Sequence, residues 1–392
     1  GGLWLSRRLC LTWFNPLSLY LAIWGGSLIS CLAPWLGYGD LMGQTWCCLG
    51  LAAVGFTLGV LTIHAPYLQP VLRAFRVPTG QGEAYATRLF TVFVIAVSIK
   101  VLYVGMKLLA VKQQFGSITA IFAGAAYRQL LLEQSGAAPG ADLASKSLLG
   151  SLFGFADAIV LIALVWGAYY VTKKRYIGLL PLILETVHSL LGLERFRFIV
   201  ALLIFISSLY FHHIIETQRG RERKAIPAGR LALFTAIGVL TLLAMLLPLY
   251  LRHPDFTIRQ LLAHTGSYFV SPILAFNAHV ARVSLFPEPL GWGLSTFWGA
   301  ASWLQRFGLL DALPPLHYRY VQLPFGDGWL LTNVYTYLIN ALDDWGVLGV
   351  LLWPYVLGVA CGFCHERVVR YRSLALVPIL CLLMATIFLS FY

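Results

Sequence analysis

The residues with chemistry to offer are the ionisable groups set inside long apolar runs or at their rims. Lys100 and Lys107 stand seven apart, so a helix through them shows both on nearly one face. Asp157 falls in the next apolar run, and Glu185 and His188 lie three apart near the end of the one after it. Charge inside a bilayer is costly and marks function by default; the plainer account is a Lys–Asp pair with snorkelling ends at Lys107 and Glu185. Arg195 and Arg197 occupy a tight turn between two runs, and Arg252 and Arg259 follow directly on another. A guanidinium stays charged at any working pH and grips phosphate oxygens with two parallel donors. Interfacial anchoring explains many such arginines, but anchoring and topology both favour cationic residues on the inner face. Placed on the outer face, against the positive-inside bias, they point to an anionic ligand there.

Three other constellations carry less. Cys361-Gly362-Phe363-Cys364-His365 has the C-x-x-C-H form of a c-type haem site, but at the inner end of an apolar run it reads as helix-packing cysteines. His212 and Glu216 have i, i+4 metal spacing, yet they stand beside Arg219, Arg221 and Arg223, which reads as a solvated helix end. Asp343 and Asp344 are adjacent, so on a helix they point about 100° apart and clamp a metal poorly. No HExxH, P-loop or GxSxG occurs. Neither metal nor cofactor is expected.

The elements that must position these groups follow from composition. Only 11% of the 392 residues are charged and 59% are hydrophobic, with a mean hydropathy of +0.77. Soluble domains carry about a quarter charged residues, so this chain belongs in a membrane. The net charge of +12 sits in short basic clusters between apolar runs. That arrangement sets topology and excludes a nucleic-acid groove. The seven cysteines, Cys10, Cys31, Cys47, Cys48, Cys361, Cys364 and Cys381, lie mostly in apolar runs and make no disulfide framework. No signal peptide is evident, and an opening at Gly1 implies missing N-terminal residues.

A spanning helix needs about 20 largely apolar residues. Such runs cover 16–37, 45–66, 89–111, 147–171, 176–192, 197–215, 230–251, 340–362 and 373–391. A cytoplasmic N-terminus puts Arg7, Arg8, Arg73, Arg76, Arg88, Lys173, Lys174, Arg175, Arg219, Arg221, Arg223, Lys224, Arg230, Arg367, Arg370 and Arg372 inside. That is more than half of the 28 Lys and Arg, all in short segments. Two large segments, 112–146 and 252–340, then lie outside. The second is too long to be a mere connection, so it is where a site belongs.

Three stretches resemble the bacterial oligosaccharide repeat-unit polymerases, the O-antigen polymerase (Wzy-like) group. They are Asn15-Pro16-Leu17; Arg252 through Tyr268 and Ser271-Pro272 to Phe276-Asn277; and Thr332-Asn333-Val334-Tyr335-Thr336 with Asp344-Trp345-Gly346 and Gly349. Arg282 and Gly293 also stand at an R-x10-G spacing found in some members. The resemblance implies an all-α, GT-C-like polytopic membrane protein with about 9 to 11 spans. A transmembrane bundle would occupy 1–251, a periplasmic loop holding helices and the substrate site 252–339, and C-terminal spans 340–392. Members have ten or more spans against the nine read here, so either an amphipathic span lies within 252–340 or the chain is cut short.

By the same resemblance, the activity is glycosyl transfer between undecaprenyl- or other polyprenyl-pyrophosphate-linked oligosaccharides, on the periplasmic face of the bacterial inner membrane. Neither nucleotide sugar nor metal is needed. Arg195, Arg197, Arg252, Arg259 and Lys107 would meet the pyrophosphate, and Asp255, His264 or Glu185 would take the acceptor proton. Asp344 reads as structural, favoured near a helix N-terminus. Tyr268, Trp298, Asn333 and Tyr335, with Trp292, Phe297 and Trp303, would line the glycan; an interfacial aromatic belt is the other reading of the aromatics. Membrane lipids and a chain-length regulator are the implied partners. An O-antigen ligase shares this chemistry with another acceptor, and a lipid-oligosaccharide flippase or transporter is the non-enzymatic alternative. Transporters favour repeats and short loops, which this chain lacks.

Overall fold

The computed structural model describes residues 12, 14–32, 41–65, 82–117, 161–192, 195–219, 250, 257, 270–286, 292–311, 321–325, 328–332 and 336–389. They are helical apart from one β-hairpin. In chain order the elements are α1 (Pro16–Cys31), α2 (Gly43–His64), α3 (Gly82–Phe115), α4 (Leu161–Thr172), α5 (Leu180–Gly192), α6 (Arg195–Arg219) and α7 (Val270–Val280). Then come α8 (Trp298–Arg306), strands β1 (Val321–Phe325) and β2 (Gly328–Thr332), α9 (Leu338–Val369) and α10 (Val377–Leu389). Among the described residues four helices are long and apolar enough to cross a membrane: Gly43–His64, Phe90–Gln113, Arg197–Glu216 and Leu338–Val369. The chain is thus a helical, membrane-embedded protein. Every apolar run read as a span is helical where it falls in the described residues, and 230–251, apart from residue 250, lies outside them. Within the long polar segment the structure adds α7, α8 and the antiparallel hairpin, paired from Val321↔Thr332 to Phe325↔Gly328. Val, Phe, Trp and Thr suit strands, and Pro324 is tolerated because each strand of a two-stranded sheet is an edge.

Packing groups the described chain into two units, the first drawn from 1–76, 266–371 and 383–392, the second from 77–265 and 372–382.

In the first unit α1 begins where its sequence says it should. Asn15 is the N-cap, its Oδ1 accepting from Ser18 N at 2.8 Å, while Pro16 fills the first helical position. Asn15 Nδ2 donates to Thr12 O at 2.7 Å, and the residue is fully buried. The Asn-Pro-Leu stretch is therefore a helix start. Tyr20 stacks on Phe56 at 4.1 Å, joining α1 to α2. Helices α2 and α9 run parallel in near backbone contact. A Cβ on Gly55 or Gly59 would meet the carbonyl oxygen of Leu351 or Tyr355, and one on Gly358 that of Phe56. Two small-residue repeats, Gly55/Gly59 and Gly358/Gly362, produce this approach, since dispersion needs close backbones where lipid removes the hydrophobic drive.

α9 is two helices joined at a break. Gly346 has φ 61° and ψ −150°, a region essentially reserved for glycine. The break frees the N–H of Val347, which donates to Leu285 O at 2.9 Å. Asp344, fully buried, accepts from Ser295 N at 3.1 Å and Thr296 N at 2.6 Å. It therefore holds the turn leading into α8, where the sequence placed it at the start of its own helix. Trp345 packs against Gly293 and lies 6.3 Å, ring to ring, from Phe297, and a Cβ on Gly349 would strike Ala341 O. The Asp-Trp-Gly-x-x-Gly stretch is thus a device for breaking a helix and pinning a neighbouring turn to it.

Near this break, Asn277 Oδ1 accepts from Met42 N at 2.9 Å and Thr45 Oγ1 at 2.7 Å, capping α2 from outside. His279 Nε2 lies 2.8 Å from Asp343 Oδ1, tying α7 to α9. At the opposite end of the unit, Thr12 Oγ1 lies 3.1 Å from His365 Nε2, and Glu366 bonds Arg370 at 2.7 Å. Cys361 and Cys364 are buried between these contacts and α2, as packing cysteines should be.

The second unit holds α3 to α6. Phe93, Ala96, Val97, Ala163, Trp166 and Tyr170 form its core toward one end. His212 is fully buried there, its ring 5.2 Å from Tyr169 and 6.1 Å from Trp166, which corrects the expectation of a solvated terminus. Its neighbour in the motif, Glu216, pairs instead with Lys173.

Candidate functional site

Toward the other end of the second unit, three helices bring charged groups together inside apolar surroundings. α3 supplies Lys100, Tyr103 and Lys107, spaced i, i+3 and i+7 so that one face carries all three. α5 contributes Glu185 and His188, one turn apart. α6 opens with Arg195 and Arg197. Val104, Val111 and Leu191 pack beside the cluster, with Leu108 and Val187 against them.

Glu185 is the hub. Its Oε1 lies 2.8 Å from Lys100 Nζ, and its Oε2 accepts from Arg197 Nε at 2.8 Å. Lys100, Glu185 and His188 are almost wholly buried, while the Arg197 side chain keeps 22% of its surface. His188 lies between the two lysines, Nδ1 2.6 Å from Lys100 Nζ and Nε2 2.6 Å from Lys107 Nζ. An ammonium only donates and a neutral imidazole accepts at one nitrogen alone, so the ring takes a hydrogen bond from one of the two lysines and lies in close contact with the other. Tyr103 closes the group from the side, with the Nζ atoms of Lys100 and Lys107 at 5.6 and 5.1 Å from its ring centre.

The arrangement has two layers. Lys100, Glu185 and His188 form a dry foundation, and the half-buried Lys107 and Arg197 stand on it nearer the surface. Anchoring Arg197 through Nε fixes the plane of its guanidinium, which is how a fork is aimed at an oxyanion. Among the described residues no group of three or more His, Cys, Asp or Glu forms a metal site.

Several expected site residues come together here and others do not. Lys107, Glu185 and Arg197 meet in one cluster. Glu185, a candidate base, has its oxygens engaged by two cations and is shut off from solvent, so a substrate hydroxyl does not reach it; its place is that of a counter-ion. Arg195 opens α6 and is described by its backbone alone. Asp157, Arg252, Asp255, Arg259, His264, Tyr268, Asn333 and Tyr335 lie outside the described residues. Trp298 starts α8 in the first unit, half-buried. In the first unit the His279–Asp343 contact joins positions 64 apart, so sequence spacing could not pair them.

No protein family, characterised protein or solved structure matches the chain.

Proposed function

We propose that this protein is a glycosyltransferase that polymerises polyprenyl-pyrophosphate-linked oligosaccharide repeat units at the outer face of a bacterial inner membrane. The observation that supports the reading is the Lys107–Arg197 pair, mounted on buried Lys100, Glu185 and His188 in a membrane-embedded helical unit. Ionisable groups are kept inside a bilayer where a polar ligand must be met, and these two suit phosphate oxygens. The sugar–phosphate bond is already activated, so the protein's task is to stabilise charge on the departing pyrophosphate and to orient the acceptor hydroxyl. Lys107 and Arg197 take the first role, joined by Arg195, Arg252 and Arg259. Asp255 or His264 takes the acceptor proton. Tyr268, Trp298, Asn333 and Tyr335 contact the glycan. The chemistry needs no metal or nucleotide sugar, and a chain-length regulator is the expected protein partner.

The test is incubation of purified protein with lipid-linked repeat units and gel analysis of the product. A ladder from donor alone supports polymerisation. Product that requires a lipid A–core acceptor makes the enzyme a ligase, and no product under either condition favours a flippase or transporter. Arg197→Ala and Lys107→Ala are expected to abolish the ladder while leaving single lipid-linked units intact. Wild-type ladder lengths from both variants would remove the cluster from the mechanism.

A further inference from the structure

Between Phe286 and Leu309 the described residues of the first unit expose several large apolar side chains. Trp292 is 79% exposed, Phe307 72% and Leu309 70%, with Phe286, Phe297 and Leu304 also exposed. Trp292 does so at a backbone cost. Its φ is 52°, a region that bulky residues avoid, and strain of this kind costs about 1–3 kcal/mol. The turn throws the indole outward while its neighbour Gly293 tucks beneath Trp345, leaving no room for a Cβ. In water this combination of strain and bare indole has no compensation. At a membrane interface it does, because Trp is favoured at headgroup depth.

The location fixes the depth. Beyond Gly346, α9 runs from 347 to 369, roughly 34 Å at 1.5 Å per residue, enough to cross a hydrocarbon layer of about 30 Å. Gly346 therefore marks one edge of that layer. The segment is fastened there: Asp344 caps its first turn, and Phe297 meets Trp353 edge-on at 4.9 Å. On α9 the same edge begins a lipid-facing stripe of Leu348, Leu352 and Val356, each exposed and four residues apart. Gln305, in the last turn of α8, is exposed and polar, as the water side of an amphipathic helix requires.

We propose that 292–309 is an interfacial anchor that lies in the headgroup–acyl boundary of the bilayer, with Trp292, Leu304, Phe307 and Leu309 inserted among lipid chains. This rests on the membrane reading alone and holds whether or not the protein is a polymerase. Aliphatic Leu304 and Leu309 distinguish it from a glycan platform, since sugars stack on aromatic faces and gain little from leucine.

The test places a genetically encoded, environment-sensitive fluorescent residue at 304 or 307 of the full chain in phosphatidylethanolamine–phosphatidylglycerol nanodiscs, with 352 as the lipid-facing reference. Lipids brominated near the headgroup end of their chains are expected to quench both sites strongly. Lipids brominated near the methyl end should quench less, and aqueous iodide far less than it quenches the free dye. Quenching by iodide equal to the free dye, with no effect of bromine, overturns the anchor in favour of a water-exposed surface. Stronger quenching from the methyl end overturns it in favour of a deeply inserted segment. Agreement between 304 and 307 guards against a local effect of the label.

Discussion

A buried carboxylate shared by two cations makes Glu185 the residue whose loss the second unit tolerates least. Glu185→Gln leaves Lys100 and Arg197 without their counter-ion in a low-dielectric setting, and breaking buried pairs this way costs about 3–5 kcal/mol. Unfolding of the purified protein in detergent should show that loss, whereas Lys100→Met should cost less because Arg197 still neutralises Glu185. Equal stability of Glu185→Gln and wild type would mean the carboxylate is not the hub. The adjacent aspartates divide differently. Asp344→Ala removes the acceptor for two backbone N–H groups and is expected to cost about 2–4 kcal/mol, the scale of charge-assisted bonds left unmade. Asp343→Asn keeps an oxygen beside His279 and should unfold close to wild type. Sequence spacing shows which residues share a face, so Lys100 with Lys107 and Glu185 with His188 were legible as pairs. It does not show which helix lies opposite: Lys100 meets Glu185, 85 positions on.

Among the elements, α9 carries the most structural information per residue. Gly346→Ala forces a side chain into a backbone region reserved for glycine, at about 1–3 kcal/mol, and should loosen α8 along with the break. Gly59→Val and Gly358→Val drive α2 and α9 apart at their closest approach. Both are expected to reduce the folded fraction recovered from membranes, read by gel-filtration yield, with Gly25→Val, whose surroundings are open, as the unaffected control. Hydropathy made the helices readable because bilayer thickness imposes their length. The glycine repeats were also present in plain sight, at four-residue spacing, but only a partner helix gives such a repeat a direction. α7 escaped because an apolar helix of this length falls short of a span. The hairpin escaped because a short, Pro- and Gly-bearing pair of strands has no period strong enough to set its register.

For the whole molecule, each unit has two unlike ends. In the second, Lys173–Glu216 and Arg197–Glu185 mark opposite ends of α6, roughly 28 Å apart at 1.5 Å per residue. In the first, Thr12, His365 and Arg370 gather at one end, with Asn277, Leu285 and Gly346 at the other. Impermeant thiol reagents check which end faces the cytoplasm: a cysteine at Lys174 should label only after permeabilisation, and one at Ser284 should label in spheroplasts. The reverse pattern would invert the assignment. The contact between α2 and α9 also has a consequence in time. About 300 residues separate Gly59 from Gly358, so at the usual 5–20 residues per second α2 waits on the order of 15–60 s for its mate to leave the ribosome. Throughout that interval its glycine ridge faces lipid or other helices, which makes biogenesis of this protein a matter of keeping an early helix uncommitted until the last quarter of the chain arrives.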